Sequence, residues 1–212
     1  AGFLGMKHSP FVVNSDGRVR NLNMKIDERF FQRAYALDLL ENNFISENRG
    51  SIAKDHRDVL KQAFDVLTSE EMEAFKVAGE PDNVKERYGD NGFGKGCLMA
   101  RRLVEAGVPF IEVNLGGWDN HQNIFPTLRD TKLPMLDQGM GALVEDLEQR
   151  GLLQDTVIIW MGEFSRTPRI NGNAGRDHWA RSWSVVVGGG GLNGGISIGA
   201  TNKDGTRVET EP

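Results

Sequence analysis

Apolar positions recur at helical spacing through the first half of the chain: from Asp27 onward Phe30, Phe31, Ala34, Leu37 and Leu40 share one face, and Ile52, Val59, Ala63 and Leu67 share another. Both stretches read as packing helices. Ser69 opens a third, short helix, since a hydroxyl there caps free backbone N–H groups. Residues 1 to 26 read as a loop-rich segment and residues 79 to 92 as a polar connection.

The pattern changes in the second half. Cys97 to Ala106 reads as a helix stopped by Gly107, and Val108 to Leu115 then reads as a strand. Leu133, Leu136, Met140, Leu143 and Leu147 keep one helical face apolar until Gly151, and the run Thr156 to Met161 suits a buried strand. Ser182 to Val187 is a third strand candidate, Gly188 to Gly191 a turn, and Asn202 to Gly205 a hairpin tip. Strand, helix, strand in this order predicts an α/β domain with a parallel or mixed sheet covered by helices.

In such folds ligands bind in loops beyond the carboxyl ends of the strands, and two of three chemistry-bearing segments lie there, the third leading into the third strand. The first, Gly116 to His121, sets Asp119 and His121 two residues apart on a Gly-led turn, a mixed oxygen and nitrogen set suited to zinc, manganese or a related divalent ion. The alternative is that Asp119 caps the next turn and His121 is a surface residue. The second segment follows the apolar run and carries Glu163 as an acid at a strand end, with Arg166 able to hold an anionic oxygen or to pair with Glu163. The third places Asp177 beside His178.

Other candidates read as structural. His8 and His56 lack such a setting, and His56 reads as a solvated helix-face residue. Trp118 and Trp179 flank the two histidine loops as packing aromatics. Ser165 and Thr167 are loop hydroxyls without an identifiable base, and Cys97 is a small buried hydrophobe. The Gly188 to Gly191 run lacks the lysine and hydroxyl of a phosphate-binding loop.

Composition narrows the classes. A formal net charge of -5 without a basic stripe argues against nucleic acid as a partner, and no apolar run approaches the roughly eighteen residues of a membrane span. One cysteine allows neither an internal disulfide nor a cysteine-based zinc site. The start lacks the basic and apolar regions of a signal segment, and the chain reads as a fragment of something longer.

The segments A-R-R-L-V-E-A-G-V-P-F (Ala100 to Phe110), G-G-W-D-N-H (Gly116 to His121), D-L-E-Q-R-G-L-L-Q-D-T (Asp146 to Thr156), M-G-E-F-S-R-T-P (Met161 to Pro168) and G-R-D-H-W (Gly175 to Trp179) together resemble the bacterial family called domain of unknown function 1501, related to the alkaline phosphatase and sulfatase superfamily. The resemblance covers nearly the whole chain. It implies one partial domain over residues 1 to 212, with an alkaline-phosphatase-like, mostly parallel sheet covered by helices and incomplete at both termini. It also implies a divalent-metal ligand set: Asp119 and His121 for one part, Glu163 at the strand end, His178 as the late histidine, and Asp177 as a lesser member. Glu163-Phe164 stands where most of the superfamily has Asp-His, which removes an imidazole from the second metal position, and Ser165 stands where relatives usually show Gly.

The activity so implied is metal-dependent hydrolysis of phosphate or sulfate esters of small molecules or glycans, in a periplasmic or secreted protein, with Arg166 on an anionic oxygen. The nucleophile is then expected in an amino-terminal part this chain lacks. The alternative is a non-catalytic binding or structural protein that keeps the scaffold.

Overall fold

The computed structural model describes His8 and residues 10–14, 27–47 and 51–210 of the chain, so most of the expected amino-terminal loop segment lies outside the described residues. The backbone falls into two compact units, residues 1–78 and 79–212.

In the first unit, α1 (Glu28–Ser46) and α2 (Ser51–Thr68) run where the apolar spacing places them. Asp27 starts α1 from an extended conformation, its carboxylate accepting the Phe30 N–H at 3.2 Å. Phe30 stacks on Phe64 with ring centroids 5.4 Å apart, which ties α1 to α2. The short helix after Ser69 is a 3-10 helix, Glu70–Phe75, its first turn closed by the Met72 N–H on the Ser69 carbonyl at 3.3 Å.

In the second unit, the stretch expected to be a polar connection contains α3 (Asp82–Tyr88), and Tyr88 is fully buried. Next comes α4 (Gly92–Glu105), begun by Asn91, whose side chain accepts the Gly94 N–H at 2.9 Å. It ends as expected at Gly107, which takes φ 79°. The turn α5 (Ile124–Thr127) leads through a π-helical turn, Leu128–Lys132, into α6 (Leu133–Gln149), which stops before Gly151 at φ 70°. Tyr88, Cys97, Leu98, Leu103, Leu136 and Leu147 form the buried contact among α3, α4 and α6. Each such side chain taken from water contributes about 1.5–3 kcal/mol.

Charge is buried with this core. Arg101, 2% exposed, pairs through Nη2 with Glu80 at 2.8 Å and through Nη1 with Glu105 at 2.7 Å. Asp146, 3% exposed, accepts the Tyr88 hydroxyl at 2.9 Å and Arg87 Nη1 at 3.0 Å, with Arg101 Nε 3.5 Å away. Burial works to raise the Glu80 pKa, but hydrogen bonds from Arg101 and Arg102 outweigh it and hold the carboxyl below its usual range.

The strands overturn the expected mostly parallel, alkaline-phosphatase-like sheet. Among the described residues they form three separate two-stranded antiparallel pairs: β1 (Val157–Trp160) with β4 (Val186–Gly189), β2 (Ser165–Arg166) with β3 (His178–Trp179), and β5 (Ala200–Thr201) with β6 (Val208–Thr210). Val108 to Leu115 joins no ladder, so α6 does not link two parallel strands. The helices pack on one another rather than over a sheet. The run expected to be a buried strand is exposed, Val157 at 55% and Ile159 at 59%, and the third strand begins only at Val186. The expected hairpin at Asn202 to Gly205 is present between β5 and β6. No helix among the described residues is long and apolar enough to cross a membrane.

Candidate metal centre

The first of the three chemistry-bearing loops is held by its own amides. Asn120 closes a turn by donating its backbone N–H to the Trp118 carbonyl at 3.0 Å and its side-chain amide to the Gly117 carbonyl at 3.2 Å, and Lys132 Nζ donates to the Gly116 carbonyl at 2.6 Å. Residues 171–176 then lie against this loop. The Arg176 N–H donates to the Asn120 carbonyl at 3.0 Å, and the Asn123 and Ile124 N–H groups donate to the Asn173 and Ala174 carbonyls at 3.1 and 2.9 Å. Gly175 sits so close that an added Cβ would lie 2.0 Å from the His121 carbonyl carbon, so only glycine fits.

The third contribution comes from β2 and β3, whose register sets Arg166 opposite His178. Directly opposed residues project on the same face of an antiparallel pair, so the guanidinium and the imidazole reach out together. Both reach Asp119. Arg166 Nη1 donates to Asp119 Oδ1, and His178 Nε2 lies 2.9 Å from the same oxygen.

His121 completes the group. Its Nε2 lies 3.0 Å from Asp119 Oδ1, and its Nδ1 lies 2.7 Å from Asp177 Oδ1. The two imidazoles are tilted at 42° with centroids 5.1 Å apart, and the Phe164 ring stands 4.9 Å from His178. The hydrogen bond from His178, and then that from Arg166, hold the Asp119 carboxyl below its usual range. The hydrogen bond from His121 does the same for Asp177, and that bond raises the His121 pKa in turn, partly opposed by desolvation. Since Asp177 is ionised and can only accept, the proton between them sits on His121 Nδ1.

The ligand atoms of Asp119, His121 and His178 lie within 4.8 Å of one another. Zinc at its usual bond lengths of about 2.0–2.1 Å needs donors roughly 3.3 Å apart in a tetrahedral arrangement, close to the spacing from Asp119 to each imidazole. One carboxylate and two imidazoles suit zinc or manganese, and three protein ligands leave a coordination position open. The residues present therefore fit a divalent ion.

Glu163 is not in this group: its Oε1 lies 3.5 Å from Arg166 Nη2, while Asp119 takes Nη1, and Asp177 meets the group through His121. Trp118 and Trp179 are half-buried beside it, with the Arg181 guanidinium 5.4 Å over the Trp179 ring. Thr167 binds locally: its hydroxyl donates to the Arg169 carbonyl at 2.8 Å and accepts the Asp177 N–H at 3.1 Å. Cys97 lies in the helical core, where burial pushes its thiol up to about 12. His56 pairs with Glu41 on the helical hairpin.

Asn171 and Arg176 went unmarked in the sequence. Arg176 donates to the Thr167 carbonyl and, at 2.8 Å, to the Pro168 carbonyl. Its place in G-R-D-H-W, next to Asp177 and His178, was the one available signal.

Compared with known proteins, the whole chain, residues 1–212, matches the family described as Protein of unknown function (DUF1501). No curated protein and no solved structure matches.

Proposed function

The chain belongs to the DUF1501 family of proteins of unknown function, and from that premise we propose that Asp119, His121 and His178 form the divalent-metal centre of a hydrolase acting on phosphate or sulfate esters. The observation that carries the reading is the meeting of one carboxylate and two imidazole nitrogens drawn from a loop and from strand β3, 57 positions apart (His121 to His178), with ligand atoms within 4.8 Å of one another. A bound zinc or manganese ion supplies Lewis acidity toward a phosphoryl or sulfuryl oxygen.

The remaining work falls to the side chains. Asp177 keeps the proton on His121 Nδ1 and leaves Nε2 to face the ion, the usual carboxylate–histidine arrangement behind a metal ligand. Arg166 carries a planar guanidinium beside Asp119, and its fork geometry suits two oxygens of a tetrahedral anion. A bound anion would draw on the same guanidinium that now holds Asp119, the carboxylate that would ligate the ion. Glu163 Oε1, 3.5 Å from Arg166 Nη2, adds a second carboxylate beside the guanidinium. Small-molecule or glycan esters are the substrate class proposed.

One observation favours a second reading, a metal-binding protein without catalysis. The three ligands are 47–60% exposed, whereas metal catalysis works best in a shaped, dry cavity. Release of para-nitrophenol from its phosphate and sulfate esters, with zinc or manganese added, separates the two. The hydrolase reading predicts metal-dependent turnover that Asp119→Ala abolishes and that Arg166→Ala weakens chiefly through a raised KM. Metal loading without turnover of either ester, in a protein that also supplies a nucleophile, leaves the binding protein.

A further inference from the structure

Asn171 makes every hydrogen bond its side chain can make, and all four lie within the loop pair that carries the histidine ligand. Nδ2 donates to the His121 carbonyl at 3.0 Å and to Asp177 Oδ1 at 3.2 Å. Oδ1 accepts the Asn173 N–H at 3.0 Å and the Gly175 N–H at 2.9 Å. An amide has two donors and two acceptor lone pairs, so its capacity is used in full. Its orientation is fixed as well, because a flip would turn Oδ1 toward a carbonyl and a carboxylate and Nδ2 toward two N–H groups.

These bonds fall into two sets with different consequences. The Oδ1 pair closes the turn that brings Gly175 against the His121 backbone. The Nδ2 pair spans the gap between the loops: it fixes the His121 main chain and the same Asp177 oxygen that receives the His121 ring. Ring and carboxylate are thus both referred to one rigid amide.

We propose that Asn171 is a positioning residue that holds Asp177 Oδ1 against His121 Nδ1, and so keeps the His121 Nε2 lone pair directed at the metal position. The proposal rests on the metal-centre reading for its functional meaning, but the clamp itself is a property of the metal-free protein. Removing the amide donors leaves the loop closed and releases the imidazole to place its proton on either nitrogen, since Asp119 Oδ1 lies 3.0 Å from Nε2 as an alternative acceptor.

The test uses the 212-residue chain, wild type and two variants, with nitrogen-15 NMR of the neutral His121 ring to locate its proton and zinc titration to follow binding. Asn171→Asp keeps an oxygen for the Asn173 and Gly175 amides and removes the donors. Asn171→Ser adds no charge, keeps a hydroxyl oxygen to close the turn, and replaces the two amide donors with one shorter hydroxyl that cannot span both contacts. The clamp predicts an Nδ1–H tautomer in wild type, a mixed population in both variants, and zinc affinity lower by about 10–100-fold, the usual loss when a group behind a metal ligand is removed. Folded variants that keep the Nδ1–H tautomer overturn the proposal, as does a wild-type ring protonated on Nε2, which needs no variant at all. A wild-type chain that binds no zinc, together with tautomers that shift in the variants, overturns the metal centre and leaves the clamp standing.

Discussion

Asp177 Oδ1 and His121 Nδ1 lie 2.7 Å apart across 56 positions of chain. The contact joins the two loops that sequence reasoning singled out separately, and it assigns them unequal roles. His121 faces the cluster through Nε2, while Asp177 stands behind it. Asp177→Asn is expected to preserve the shape of the pair and lower zinc affinity by about 10–100-fold, as a direct competition titration against a chromogenic chelator will show.

The electrostatics of that pair give the site a pH dependence with two signs. The His121 pKa is raised above its usual 6.5, first by the hydrogen bond to Asp177, so in the metal-free protein its contribution to stability is fully present below 6.5 and lost as pH rises through the raised folded value. The Asp119 and Asp177 pKa values are lowered from 3.8, so their contributions are present above 3.8 and lost as pH falls through the folded values. Metal binding runs against the first of these, because the ion needs the Nε2 lone pair. Zinc titrations between about pH 5 and pH 8 are expected to show affinity rising with pH until His121 has lost its proton, with the rise moved to lower pH in Asp177→Asn, where the hydrogen bond that raises the His121 pKa is weakened.

Gly175→Ala tests the contact between the loops without touching a ligand. The new Cβ has no room beside the His121 carbonyl, so the loops must separate. The helices α4 and α6 lie apart from this contact, so the far-UV circular dichroism should be preserved while zinc affinity falls by about tenfold or more.

Asp146→Ala should be among the most destabilising single changes in the second unit. It leaves the Tyr88 hydroxyl without its acceptor in a buried setting and removes a counter-charge from beside the Arg101 guanidinium. Breaking a buried pair from one side costs about 3–5 kcal/mol, which urea unfolding followed by Tyr88 and tryptophan fluorescence will measure.

Cys97 is expected to resist alkylation. With 2% exposure and a thiol pushed up to about 12, it has neither access nor thiolate at neutral pH. Iodoacetamide labelling followed by mass spectrometry should show no modification in the folded chain and full modification in urea.

How much of this was legible in the sequence follows from the range of the interactions involved. The helices α1, α2, α4 and α6 were, because their apolar spacing and their end signals at Asp27, Gly107 and Gly151 are local, whereas α3 lay in a stretch read as a polar connection. Asn91, an equally good start signal, moves α4 forward by five residues from the expected Cys97. The sheet was not legible. Short apolar runs such as Val108 to Leu115 and Val157 to Trp160 are alike in sequence, and pairing depends on a partner strand that periodicity does not identify. Tyr88 was hidden for a related reason: its neighbours Lys85, Glu86 and Arg87 are polar, and only Asp146, 58 positions away, makes its burial tolerable. In the site, Asp119, His121 and His178 stand out because carboxylate and imidazole are scarce together. Asn171 does not, since an Asn followed by Gly reads as an ordinary turn until Asp177 and His121 are seen beside it.

The central claim is that Asp119, His121 and His178 hold one divalent ion. Its most direct test is metal content by plasma mass spectrometry after saturation with zinc or manganese and removal of the excess, for wild type and for Asp119→Ala, His121→Ala and His178→Ala. The account predicts about one ion per wild-type chain, as a three-ligand site requires, and its loss in each folded variant. A folded wild-type chain that retains no ion, or variants that retain as much as wild type, would contradict it.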